Sequence, residues 1–147
     1  MTAVAAHRRE RHCRRRWVCA LAGALAVSTG ALAHHSISGV YDGSRQVTIE
    51  GQVIEFQFVN PHPFLIVATE SDAKSSRTWR LEMDNRYELA DIGVTAKTFK
   101  PGDRVIATGS AARADDRGLY LMKLDRPADG LRYEQVGTSP RISHAAR

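Results

Sequence analysis

Histidines 34, 35, 62 and 144 are the side chains after residue 33 best suited to chemistry near neutral pH. His34 becomes a chain terminus if processing cuts after Ala33. A terminal histidine offers its α-amine and its ring Nδ1 together, in one chelate ring. A second imidazole brings the set to three nitrogens in a rough T. That geometry suits Cu(II), which also binds tightest among the divalent first-row ions. His34 and His62 are therefore the candidate metal ligands, His35 is the reserve ligand, and copper is the candidate cofactor. His62 sits in an Asn60-Pro61-His62-Pro63 corner. Pro61 fixes its own φ, and Pro63 pushes His62 toward extended geometry. Such stiffness suits a preorganised ligand. It suits a plain corner equally well, with His34-His35 a polar leader and His62 bonded to backbone. Asn60 is placed to close an Asx-turn.

Other constellations are weaker. Glu82 and Asp84 flank Met83, and alternation would put both carboxylates on one face. A carboxylate pair is a glycosidase-like signal. The simpler reading pairs Glu82 with Arg80 and gives Asp84 or Asn85 the cap of a following helix. Met83 reads as core filler. Trp79, Phe56, Phe58 and Phe64 read as mostly core. Arg113, Arg117, Arg126 and Arg132 interleave with Asp115, Asp116, Asp125 and Asp129 as a solvated face. The chain has no G-x-S-x-G, H-E-x-x-H, P-loop or dinucleotide glycine fingerprint.

The segment ahead of these residues is of another kind. Residues 7–16 are strongly basic, residues 17–29 are apolar and small, and Ala31-Leu32-Ala33 follows. That is the order of a secretory signal peptide cleaved after Ala33. The apolar run is short of the roughly 20 residues of a membrane span. Residues 1–33 carry six arginines and one acid, Glu10, so they hold the whole formal charge of +5. The remaining 15 basic and 15 acidic residues balance, which removes the electrostatic case for nucleic acid. Cys13 and Cys19 leave with the signal, so thiolate chemistry and disulfides leave too. The mature chain is expected to be periplasmic or secreted, without a membrane span.

The elements that must position the corner follow in order. Residues 34–45 read as a leader, with a turn signal at Asp42-Gly43-Ser44. From Gln46 apolar and polar residues alternate, then slip phase after Gly51, which suggests a bulge. A second strand is predicted over 64–69, a polar hairpin loop over 70–76, and a third strand over 77–83. A short helix over 86–92 ends at Gly93. Lys100-Pro101-Gly102-Asp103 is a type II turn signature. Strands over 104–111 and 119–125 follow, with a short extra strand possible over 131–136 and a flexible tail over 137–147. The fold class is all-β: a small closed five-stranded barrel over 46–136. It has one helix between strands three and four, as in oligonucleotide/oligosaccharide-binding (OB) barrels. A small β-sandwich fits the same pattern.

His34-His35-Ser36, the Glu50–Phe56 strand, Asn60-Pro61-His62, Trp79-Arg80-Leu81-Glu82 and Phe99-Lys100-Pro101-Gly102-Asp103 occur together, in that order. With them the chain resembles a family of small exported bacterial proteins catalogued as a domain of unknown function. The resemblance spans about residues 33–136. It departs at Phe64, where Trp is common, and at Phe99, where Leu is usual. It implies an exported fold unit and no activity. The His34 and His62 pairing is similar, as a local arrangement, to the histidine brace of copper monooxygenases and some periplasmic copper-binding proteins.

Together these readings point to a non-enzymatic exported binding protein with copper as candidate ligand. The runner-up is a module that takes an unknown protein, polymer or peptide partner on the barrel face. A copper oxidase or monooxygenase ranks third.

Overall fold

Alternating β-branched and polar residues favour strands, and the longest such run in this chain builds its longest strand. The computed structural model describes residues 37–70 and 77–144. The signal-peptide reading, His34, His35, most of the expected 70–76 loop and the last three residues lie outside them. One helical turn, α1 (Ile37–Val40), leads into β1 (Tyr41–Gln57). Then come β2 (Phe64–Thr69), β3 (Arg77–Glu82) and helix α2 (Arg86–Asp91). Strands β4 (Arg104–Ala112), β5 (Gly118–Arg126), β6 (Leu131–Val136) and β7 (Ser139–His144) complete the order.

The strands form one sheet in the order β3-β2-β1-β4-β5-β6-β7, with neighbours antiparallel. Strand β3 also pairs in parallel with β5, Arg80, Leu81 and Glu82 facing Gly118, Leu119 and Tyr120. Strand β5 thus gives its first residues to β3 and its last, from Lys123 to Arg126, to β6. The chain is mostly β, with the helix between β3 and β4, as expected. It has seven strands among the described residues, where five were expected.

Strands β6 and β7 make up the difference, and β1 also starts earlier than expected. Strand β1 begins at Tyr41, inside the 34–45 stretch read as a leader. Tyr41 and Asp42 pair with Ala112 and Ala111, and pairing resumes only at Gln46 with Ser110. The residues between bulge outward. The Asp42 carboxylate accepts from the Ser44 amide at 3.1 Å and its hydroxyl at 2.7 Å. The turn signal is therefore real, but it makes a bulge within a strand rather than ending one. At the other end, residues 139–144, read as tail, pair with β6 throughout. Val136 and Ser139 flank a two-residue loop in which Gly137 takes φ +60°. Primed hairpin turns need positive φ at that place. Strand β6 buries Leu131, Tyr133 and Gln135 in strict alternation, and Ile142 of β7 packs against the core. Pro140 is buried opposite Gln135, on a strand that pairs with β6 alone among the described residues.

The phase slip after Gly51 is a bulge. Val53 faces Val67 and Glu55 faces Ile66, so Ile54 is extruded and stands 46% exposed. Gly51 lets β2 come close, since a Cβ there would lie 2.2 Å from the Ala68 carbonyl oxygen. The Lys100–Asp103 turn forms as read. Gly102 takes φ +92°, and the Asp103 amide donates to the Lys100 carbonyl at 3.0 Å. The same turn docks on β1, with the Gly102 amide on the Val53 carbonyl and the Val53 amide on the Asp103 carbonyl.

One core cluster joins residues of β1 to β6 with Leu89 of α2. Leu65, Val67, Leu81, Met83, Leu89 and Leu121 are fully buried there. Each contributes about 1.5–3 kcal/mol on leaving water. Phe56, Phe58 and Trp79 pack against this core half-buried. The arginine-rich face is less solvated than expected at one point. Arg126 reaches the Thr98 carbonyl and Asp103 at 2.6 Å each, and Asp129 at 2.8 Å.

Candidate functional site

Two prolines take two amide donors out of the chain around His62, and the corner compensates by accepting on its carbonyls. The Met83 amide donates to the Pro63 carbonyl at 2.9 Å, and the Arg86 amide to the Pro61 carbonyl at 3.0 Å. The end of β3 and the start of α2 therefore grip the corner on either side of His62. The Asn60-Pro61 peptide is cis. Asn60, expected to close an Asx-turn, is exposed and has no hydrogen-bond partner among the described residues. The bonds from the Met83 and Arg86 amides add to the constraint that Pro61 and Pro63 place on the corner.

His62 is about three-quarters buried, with 28% of its side chain exposed. Its Nδ1 lies 3.1 Å from the Met83 carbonyl and 3.2 Å from Glu82 Oε1. A carbonyl and a carboxylate accept, so in the neutral ring Nδ1 carries the hydrogen and Nε2 the lone pair. Nε2 has no partner among the described residues. The other carboxylate oxygen, Glu82 Oε2, accepts from the Tyr41 hydroxyl at 2.6 Å. Burial first, and Glu82 second, push the Tyr41 phenol well above its ordinary range, so it stays a donor.

The expected Arg80 to Glu82 pair is not made. Arg80 lies over the Phe64 ring, 3.5 Å from its centre, which leaves Glu82 to Tyr41 and His62. Of the two caps read from the sequence, Asn85 serves and Asp84 does not. Asn85 caps α2, its side-chain oxygen accepting from the Tyr87 amide at 2.8 Å and the Glu88 amide at 3.3 Å. Asp84 turns inward and is buried. It accepts from the Asn85 amide at 2.7 Å and from Gln135 Nε2 at 2.6 Å, and Gln135 in turn accepts from the Tyr133 hydroxyl at 2.8 Å. Met83 is fully buried, core filler as read.

The carboxylates leave a mark on the tyrosines between them. Tyr120 packs its ring 5.7 Å from that of Tyr41. Its phenol is pushed up by burial, then by Asp84, Glu82 and Glu88. Glu88 is itself raised, by burial and then by Asp84.

Among the predicted ligands, His62 falls in this cluster, whereas His34 and His35 lie outside the described residues. Among the described residues no three His, Cys, Asp or Glu side chains converge to hold a metal ion. Sequence reasoning missed Tyr41 and Gln135. Tyr41 carried a faint signal as an apolar anchor in a polar stretch, and Gln135 carried none.

A family model described as "Family of unknown function (DUF6152)" matches residues 22–120, from ahead of the leader into β5. No curated protein matches. Among solved structures the chain is similar to the mitochondrial single-stranded DNA binding protein Rim1 of S. cerevisiae. That likeness has 13% identity and a TM-score of 0.44, and covers 55% of this chain and 91% of that one. At that score it carries no argument about fold or ligand.

Proposed function

Since this chain belongs to the family of unknown function DUF6152, whose description assigns no activity, we propose a function from the site's own geometry. The protein is an exported copper-binding protein, cut after Ala33, whose His62 Nε2 is a metal ligand. His34 supplies its α-amine and ring nitrogen, and His35 stands in reserve. The scaffold is read as a closed OB-type barrel of β1, β2, β3, β5 and β4, with β6 and β7 added to β5. Its role is chelation or hand-over rather than turnover.

One observation carries this reading. His62 donates Nδ1–H toward a carboxylate and a backbone carbonyl, and that leaves Nε2 with its lone pair. Metal-ligating histidines almost always use their second nitrogen in this way. A histidine that merely closed a corner would need only the Met83 carbonyl. The Glu82 carboxylate, itself held by Tyr41, goes beyond that need. The contribution of His34 rests on the chemistry of a terminal histidine. A partner-binding module is the second reading, favoured by Val59 and Tyr87, large apolar side chains 48% and 66% exposed beside the corner. Two such residues make a small patch for a docking face.

The test is a Cu(II) titration of the processed protein, its terminus confirmed as His34 by mass spectrometry. It runs beside a version with one extra residue ahead of His34, and beside His62→Ala. One tightly bound copper, weakened in both variants, is the expected result. Loss in the extended version alone would reduce the site to a bare terminal chelate. Binding no tighter than that of a free His-His-Ser peptide would retire copper and leave the partner-binding reading.

A further inference from the structure

Three side chains from separate parts of the chain stand in line at His62. Tyr41 opens β1, Glu82 closes β3, and His62 occupies the corner between β1 and β2. Tyr41 and Glu82 are 41 residues apart in sequence, yet their oxygens lie 2.6 Å apart. Among the described residues each carboxylate oxygen of Glu82 has a single task, Oε2 on the Tyr41 hydroxyl and Oε1 on His62 Nδ1. A carboxylate held at both oxygens cannot rotate away from the ring. The direction of donation is fixed along the line: Tyr41 gives, Glu82 accepts, His62 gives.

Resting on the copper reading of His62, we infer that Glu82 and Tyr41 are positioning residues, which lock His62 in its Nδ1–H tautomer and assign metal binding to Nε2. Free neutral histidine prefers the opposite tautomer, with the hydrogen on Nε2. The line therefore overrides an intrinsic preference, and it leaves the lone pair on Nε2. Outer-shell partners of this kind are worth about 10–100-fold in metal affinity. Tyr41 acts at one remove. By occupying Oε2 it keeps Oε1 aimed at His62, so its loss weakens the same binding by a smaller factor.

The experiment has two arms. In the first, long-range ¹H–¹⁵N correlation spectra of metal-free protein are recorded at about pH 8.5, well above the ~6.5 of unperturbed histidine. The His62 signals are assigned by their absence in His62→Ala. The inference requires a hydrogen-bearing Nδ1 and a bare Nε2, and a His62 ring carrying its hydrogen on Nε2 would overturn it. In the second arm, Cu(II) affinity is compared between wild type, Glu82→Gln and Tyr41→Phe, each shown folded by its amide spectrum. A loss of at least about tenfold in Glu82→Gln, and a smaller one in Tyr41→Phe, is expected. Unchanged affinity in a folded Glu82→Gln would overturn the role given to Glu82. If wild type binds no copper, the copper reading fails, and the tautomer found in the first arm still decides whether the line positions His62.

Discussion

Replacing Gln135 with leucine should cost about 2.5–4 kcal/mol, because it removes the polar end that links two buried groups. The figure follows from what Gln135 joins. Its amide hydrogen is bonded to Asp84 Oδ2 at 2.6 Å, and its amide oxygen to the Tyr133 hydroxyl at 2.8 Å. Asp84 is 9% exposed and Tyr133 1%, so water does not readily replace either bond. A hydrogen bond to a charged group is worth about 1.5–3 kcal/mol and a neutral one about 1 kcal/mol. Asp84 keeps the Asn85 amide, which holds the loss below that of a fully abandoned carboxylate. The assay is urea unfolding. With a slope near 1–3 kcal/mol/M for a small domain, the midpoint should fall by roughly 1–4 M. The double variant Asp84→Leu with Gln135→Leu should be less destabilised than the two single effects predict, because it leaves no carboxylate behind. A Gln135→Leu protein within about 0.5 kcal/mol of wild type, a size usual for surface changes, would refute the claim that this bond ties β6 to the junction of β3 and α2.

Two other outcomes follow from features of the fold. Gly51→Ala should destabilise by about 3 kcal/mol or more, because the new Cβ meets the backbone of Ala68 at 2.2 Å and nothing flexible there can yield; chemical denaturation checks it, and a neutral result would mean that β1 and β2 separate freely. Asp129 is held down to about 2, against an ordinary 3.8, chiefly by its hydrogen bonds with Arg126. A depressed carboxylate stabilises the fold above its unfolded value and loses that contribution as pH falls through the folded one, so the thermal midpoint of wild type should drop between pH 4 and pH 2, and Arg126→Met should drop less steeply over that window.

Much of this was legible because local chemistry decided it. The Lys100–Asp103 turn, the Gly51 phase slip and the α2 cap each depend on residues within a few positions of one another. What escaped the sequence depends on partners far along the chain. Nothing near Glu82 says that Tyr41 will reach it, nor that the Phe64 ring will draw Arg80 away. Asp84 and Asn85 are equally good caps by type, and only the position of Gln135 on β6 turns one inward and leaves the other to cap. Strand β6 was legible as the short extra strand over 131–136, whereas β7 and the start of β1 were hidden by their composition. Asp42-Gly43-Ser44 reads as an ending, and residues 137–147 as a tail, until a neighbouring strand supplies the pairing. Local constraint and distant contact meet at His62, the proposed ligand.

Pro140 bears on how the molecule behaves in company. A strand at the border of a sheet offers its unused amides as a template on which another chain can add, and repeated addition builds fibres. Proline withholds the hydrogen such a template needs, and a strand tolerates it where its own partner does not need that hydrogen. In β7, a border strand among the described residues, the proline stands second of six, inside the segment a newcomer would have to match. A folded copy therefore offers its neighbours a broken ladder, which favours staying solitary at concentrations where an intact border would stick.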